Sequence, residues 1–397
     1  MSQSSLPRFF YRKGVPLWRD VVVLQWVAQI LSAVLVLVFI WFLISNVLRA
    51  ADARGLSWSY GFLDEAAGFP ISESLLPYDA SYPFSRAFVI GILNTLKVSL
   101  VGIVFATLLG IITAVARLSS NWLVSKIAGA YIEIIRNVPL LVQLFFWYFG
   151  FFQRLPPVQE AAGVPNVLYL SQRGLYVLWF KPTSTFGFWM IFVGAGLVLS
   201  WVLYVVLSRY QIRTGKTTYP VATALGVLIV LPVAGWFLVG ESPLATTTPV
   251  LGKFNFEGGL RLTPEFVGLL VGLVVYTGAF IAEVVRAGIL AVSKGQFEAA
   301  RAVGLTQMQV LRLVVFPQAL RVIIPPMISQ YLNLTKNSSL AILIGYADVF
   351  FVGRTIINQS GRAVPVFLLI MAIYLTISLI TSVIMNIYNR RVRLVER

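Results

Sequence analysis

The sequence predicts an all-α integral membrane protein with about eight transmembrane helices. Of its 397 residues 58% are hydrophobic and only 12% charged, and mean hydropathy is +0.84, far more apolar than a soluble domain. Apolar runs long enough to cross a bilayer recur along the chain. Lys and Arg number 31 against 15 Asp and Glu, and the +16 excess is scattered between those runs. Scattering of that kind follows the positive-inside rule, whereas a nucleic-acid surface would gather the charge in one patch. Helices are preferred to barrel strands because each satisfies its own backbone hydrogen bonds in lipid, and barrel strands would be short and alternating.

The first twenty residues carry Arg8, Arg12, Lys13 and Arg19 and give way to an apolar run at 24–47. That run is too long for a signal core and no small-residue cleavage pattern follows, so it reads as a retained helix. Further spans are expected at 87–116, 127–152, 188–207, 221–239, 266–290, 318 to about 351, and 365–385. With the N-terminus inside, alternate loops hold 18 basic residues inside and ten outside; Lys97, Arg136 and Lys336 lie within apolar segments. Both termini are therefore expected in the cytoplasm. Two long outer loops, 48–86 and 153–187, have little helical periodicity and are expected to pack on the outer face. The spans within 153–264 carry almost no polar residues, the pattern of a lipid-facing support.

Residues 293–317 interrupt two apolar spans with a polar stretch read as two short helices. Ser293 and Gln296 fit a capping box, Gly304 sits where a left-handed C-terminal residue belongs, and Thr306 and Gln309 repeat the capping spacing. Pro317 is expected to end the second helix. Helices this short need a surface to receive them, either the chain's own core or another protein. A helix–turn–helix DNA reading fails, because a stretch pinned at both ends by spans cannot build the core such a module needs. Docking into a partner's groove is the better account.

Chemistry is restricted by composition. Cysteine and histidine are absent, which removes thiolate and imidazole chemistry. Gly215-Lys-Thr217 superficially suggests a phosphate loop, but Tyr210 stands where the motif needs glycine and a membrane helix precedes it in place of a strand. Charges inside spans mark pathways or internal pairs. Glu133 with Arg136, and Glu283 with Arg286, are spaced to pair; the first two are equally candidates for a pathway. Lys97 is expected to snorkel outward. Lys336, Asn337 and Ser338 form a polar cluster downstream of Pro325 and Pro326, where the helix is expected to bend or break, as a gate or as a purely structural interruption.

Glu298-Ala-Ala-Arg-Ala-Val-Gly304, followed by Val314-Val-Phe-Pro317, resembles the EAA loop of permease subunits in ABC importers. Glu133-Ile-Ile-Arg-Asn-Val-Pro-Leu-Leu-Val-Gln-Leu-Phe145, Glu283-Val-Val-Arg-Ala-Gly288 and Lys336-Asn-Ser-Ser-Leu340 are similar to the polar amino acid permeases of histidine and glutamine type. Asn137-Val138 stands where the family more usually has Gly-Thr. The enlarged length is closest to a permease of the general L-amino acid importers of proteobacteria. The resemblance implies a type I permease core of five spans, in 87–152 and 265–397, with 1–86 and the block 153–264 as additions. It implies ATPase coupling through Glu298, Ala299, Ala300, Gly304, Leu305 and Pro317. Glu133, Arg136, Lys336, Asn337 and Ser338, the polar positions within the spans noted above, are the candidates for a substrate pathway or gate. The implied partners are a second, homologous permease chain, two ATPase subunits holding ATP and Mg, a periplasmic amino acid binding protein and membrane lipid; this chain would bind no cofactor, metal or nucleic acid and catalyse no reaction. The expected location is the bacterial inner membrane. The rival reading is an ion-gradient-driven amino acid transporter, for which Glu133 is the only plausible acidic group; a scaffolding subunit is a third.

Overall fold

A computed structural model describes residues 11–12, 15–16, 20–53 and 59–392. The basic residues Arg8, Lys13, Arg19, Arg393 and Arg397, counted above as cytoplasmic, lie outside them. A minimal hairpin, β1 (Tyr11–Arg12) and β2 (Val15–Pro16), precedes α1 (Val21–Ala53), which starts where the Asp20 carboxylate accepts a hydrogen bond from Val22 N at 2.9 Å. Then come α2 (Phe84–Arg117), α3 (Trp122–Asn137) and α4 (Leu140–Phe145), the last running on through a π turn towards Arg154. Strands β3 (Ala162–Val164), β4 (Leu168–Ser171), β5 (Gly174–Val177) and β6 (Trp179–Pro182) lead to the hairpin of α5 (Phe186–Thr214) and α6 (Pro220–Leu238). Strands β7 (Leu244–Thr247), β8 (Val250–Leu251), β9 (Phe256–Glu257) and β10 (Leu260–Leu262) return the chain to α7 (Pro264–Leu290). The rest is α8 (Lys294–Ala302), α9 (Gln307–Gln309), α10 (Phe316–Asn337), α11 (Val349–Ser360) and α12 (Ala363–Val392).

Among the described residues seven helices are long and apolar enough to cross a membrane, and the bent pair Trp122–Asn137 with Leu140–Arg154 makes an eighth. The count matches expectation; three details do not. The third span is broken by 105° at Val138–Pro139, because proline biases the residue before it away from helix. The seventh is Gln307–Leu343, so Pro317 does not end the second loop helix. Proline removes an N–H and presses on the carbonyl four residues back; Val310–Val315 widen into a π turn ahead of it and the helix continues. Nor does the chain break at Pro325 and Pro326, which lie inside α10; it tightens at Ser338–Leu343 and turns at Gly345, and α11 is a separate helix.

The core is built on α2 against α7. A side chain at Gly110 would put its Cβ 2.4 Å from Ile281 and 3.0 Å from the Gly278 carbonyl, so only glycine permits this approach. Ala106 and Ala114 continue the seam and are fully buried. Without a water-driven hydrophobic effect between helices in lipid, small residues that allow close packing hold the pair. Gly110→Val is expected to destabilise the protein by about 1–3 kcal/mol, read as a lowered thermal midpoint in detergent; an unchanged midpoint would contradict the seam.

Residues 153–264, expected to form an aperiodic loop and two apolar spans, contain a small β lobe. Its main sheet has the antiparallel order β10-β5-β4-β3, with Leu260 opposite Val177, so the two ends of the insertion are zipped together. Tyr176, Phe256 and Val158 form its core, and Tyr169 stacks on Phe256 at 4.4 Å. Helices α5 and α6 pack on each other at Gly196, Ala224 and Gly235, with Trp189 Nε1 donating to the Pro232 carbonyl at 2.9 Å.

Candidate functional site

The loop 293–317 is fastened on one side and open on the other. Ser293 begins α8 by backbone geometry, but its side chain makes no capping bond, and the Gln296 amide instead accepts from Gln318 at 3.3 Å. The first capping box is therefore not formed. At the other end Gly304 takes φ +82, with Gly304 N bonded to the Arg301 carbonyl at 2.9 Å and Leu305 N to that of Ala300 at 3.3 Å, a left-handed C-terminal closure. The second capping box is made: Thr306 N donates to Gln309 Oε1 at 2.9 Å. Ala300 and Val310 are buried in the main core and Phe297 and Leu305 pack against it. Glu298, Ala299, Gly304, Arg301 and Ala302 are exposed, as are Val303 (76%) and Met308 (72%), while Pro317 is half-buried. The core thus receives one face of the loop and leaves a charged, small-residue and apolar face uncovered.

The polar positions within the spans separate into paired and unpaired groups. Arg286 grips Glu283 with two bonds, at 3.0 and 2.5 Å. Glu133 and Arg136 do not pair: Arg136 lies over the Phe280 ring at 5.1 Å, and both side chains are exposed. The last turn of α3 is held differently. The Gln143 amide, from across the break, donates to the carbonyls of Ile135 at 2.9 Å and Val138 at 3.0 Å, satisfying acceptors that a broken helix would otherwise strand in an apolar setting. Lys336 is exposed on the last turn of α10, where a cation suits the helix C-terminus; Asn337 is half-buried, and buried Ser338 donates to the Thr335 carbonyl at 2.8 Å. Among the described residues no hydrogen bond or ion pair joins the Glu133 region to the Lys336 region.

Two buried polar clusters were not anticipated. Lys97 does not snorkel outward; it is ion-paired to Glu73 of the first long loop, the two side chains being 17% and 10% exposed, and lies 4.2 Å over the Phe266 ring. Glu73 also accepts from the Thr263 hydroxyl at 2.5 Å, and Thr263 in turn caps α7 by accepting from Phe266 N at 3.2 Å. The pairing joins positions 24 residues apart through an irregular loop, for which periodicity offers no signal. The second cluster centres on Asp348, fully buried, whose carboxylate accepts from Phe351 N and from the Tyr374 hydroxyl, both at 2.8 Å. Alongside, Asn94 donates to the Ala347 carbonyl and Tyr346 donates to the Asn94 carbonyl. Glu133 is thus not the one acidic group of the membrane core. Asp348 between Gly345 and an apolar helical run has the signature of a helix start, obscured when 318–351 is taken as one span.

The protein family described as "Binding-protein-dependent transport system inner membrane component" matches residues 106–227 and 221–394. The chain is 44% identical to the general L-amino acid transport system permease protein AapQ of Rhizobium johnstonii, over 93% of this chain and 92% of that one. It is 45% identical to the putative amino-acid ABC transporter permease protein YhdX of Escherichia coli, over 97% and 98% respectively. The glutamate/glutamine/aspartate/asparagine transport system permease protein BztB of Rhodobacter capsulatus is 36% identical over 93% of each.

Proposed function

The chain belongs to the binding-protein-dependent transport system inner membrane component family, the permease subunits of ABC importers, and from that premise we propose that it carries L-amino acids from the periplasm into the cytoplasm. Support for the substrate comes from the relatives, two of which are named for amino acids in general and one for glutamate, glutamine, aspartate and asparagine. The family's membrane subunit is not itself catalytic. Energy would come from two copies of a cytoplasmic ATPase that hold ATP and Mg. A second, homologous permease chain would complete the pore, and a periplasmic binding protein would deliver the substrate. By the distribution of basic residues both termini would lie in the cytoplasm, the chain being held in a bacterial inner membrane. A gradient-driven transporter is set aside by the family membership.

The observation that carries the coupling assignment is the half-covered loop. Its buried face, at Phe297, Ala300, Leu305 and Val310, ties it to the core, and its open face, at Glu298, Ala299 and Val303, is free to seat in an ATPase groove. Such a loop transmits displacement because packed elements shift as rigid bodies. The continuous helix Gln307–Leu343 would carry the motion from Leu305 and Pro317 to the tightened turn at Ser338. Lys336 and Asn337 sit at that turn. Glu133 and Arg136 form no ion pair with each other, and charges left unpaired are too costly to face hydrocarbon; a wet pathway or the partner chain is their fitting neighbour.

Pull-down of the tagged chain from its native membrane is expected to bring an ATPase and a second permease. Transport of amino acids down an ion gradient by this chain alone in liposomes would overturn the assignment.

A further inference from the structure

The β lobe and the cytoplasmic loop are joined by one rod. Strand β10 ends at Leu262, one residue before the cap of α7, and α7 ends at Leu290, four residues before α8 begins. A helix of 27 residues spans about 40 Å, so lobe and loop lie at opposite ends of the same strut. The lobe's end of that strut is fixed, because Thr263 is held by Glu73 and Tyr148 donates to Glu265 at 2.9 Å. The lobe itself is braced: besides the Tyr169, Phe256 and Tyr176 rings, the Tyr176 hydroxyl donates to Asn255.

On this braced lobe three cations stand together without acidic partners. Arg173 donates to the Phe254 carbonyl at 3.1 Å, and Arg261 donates to the Arg173 carbonyl at 3.4 Å while lying 6.0 Å over the Tyr176 ring. Lys253 adjoins Phe254, whose ring is 79% exposed. Among the described residues none of the three cations forms an ion pair, and the one acid on the same short hairpin, Glu257, is exposed. The guanidinium groups of Arg173 and Arg261 are held by backbone carbonyls and, for Arg261, a ring, with no carboxylate bonded to either. An exposed aromatic with an arginine bonded to its backbone carbonyl and a second arginine next to that one brings together residue types enriched at interface centres.

We propose that the Arg173, Arg261, Lys253 and Phe254 patch docks an acidic face of the substrate-loaded binding protein. The family is defined by dependence on such a protein, and the inference rests on the importer reading given above. Docking there loads the lobe directly above α7, and the strut passes the contact to the loop at its far end. Opposite charge at such a surface acts mainly on encounter rate and orientation, and weakens with salt.

The test uses the complete complex in nanodiscs, with substrate-loaded binding protein titrated against ATPase rate. The Arg173→Glu/Arg261→Glu variant is expected to need about tenfold more binding protein for half-maximal stimulation, with basal rate and maximal stimulated rate unchanged; Arg173→Lys/Arg261→Lys should lie near wild type. A half-saturating concentration within twofold of wild type overturns the proposal. So does an effect seen with anionic lipid and absent in phosphatidylcholine nanodiscs, which would assign the patch to headgroups. Because the chain has no cysteine, Phe254→Cys supplies a single attachment point that is expected to cross-link to the binding protein; its failure to do so at saturating binding protein contradicts the docking. If the wild-type complex shows no stimulation at all, the importer reading falls, and the docking surface with it.

Discussion

Replacing Gly304 with proline is expected to abolish uptake while leaving the protein inserted in the membrane. Gly304 sits at φ +82, and proline fixes φ near −65°, so the turn that closes α8 cannot form; proline in the wrong conformation costs about 3 kcal/mol or more. The loop's buried side chains, Ala300 and Val310, belong to the main core, which should keep the spans assembled while the exposed face loses its shape. Glu298→Lys tests the same surface without touching the backbone, because Glu298 is exposed and its reversal alters only what the loop presents. Both variants should accumulate in the membrane at wild-type levels and show no uptake of labelled amino acid. Normal uptake in either would remove the loop from the energy pathway.

The second large effect concerns Glu73. Its carboxylate holds Lys97 and the Thr263 hydroxyl, and its backbone carbonyl separately accepts from the Asn94 amide. With Glu73→Leu the Lys97 ammonium is left nearly enclosed with no counter-charge, and breaking a buried pair from one side costs about 3–5 kcal/mol. Removing both charges is a different matter. Glu73→Leu/Lys97→Met leaves no buried ion behind and should recover most of the loss, as replacing a buried pair with apolar groups is often neutral. Thermal unfolding of Glu73→Leu, Lys97→Met and the double variant beside the wild type in one detergent gives the coupling directly. Equal midpoints for the single and double variants would show that the loop is held by its apolar packing, Phe62 and Phe69 among it.

These two residues also mark the limit of what the sequence disclosed. Gly304 was legible because a local rule governs it: a short helical run, a glycine, a second capping pattern. The spans were legible for the same reason, since bilayer thickness sets their length. Glu73 was not, because its partners come from two separate places in the chain, α2 and the start of α7, and lie beyond any local spacing. Asp348 and Pro317 failed for opposite reasons. An apolar composition around Asp348 concealed a helix start, while the strong local rule at Pro317 was overridden by a π turn that composition does not announce. Glu133 and Arg136 show the same override, with spacing that permits a pair and an aromatic ring on α7 that takes the cation instead.

The close contact of α2 with α7 has a consequence for how the protein is made. The ribosome completes α2 long before it reaches α7, with the broken span, the α5–α6 hairpin and most of the β lobe translated in between. At about 5–20 residues per second that interval lasts on the order of ten seconds, and Gly110 meets Gly278 and Ile281 only after it. The α2–α7 seam can therefore close only after the whole insertion between the two helices has been translated.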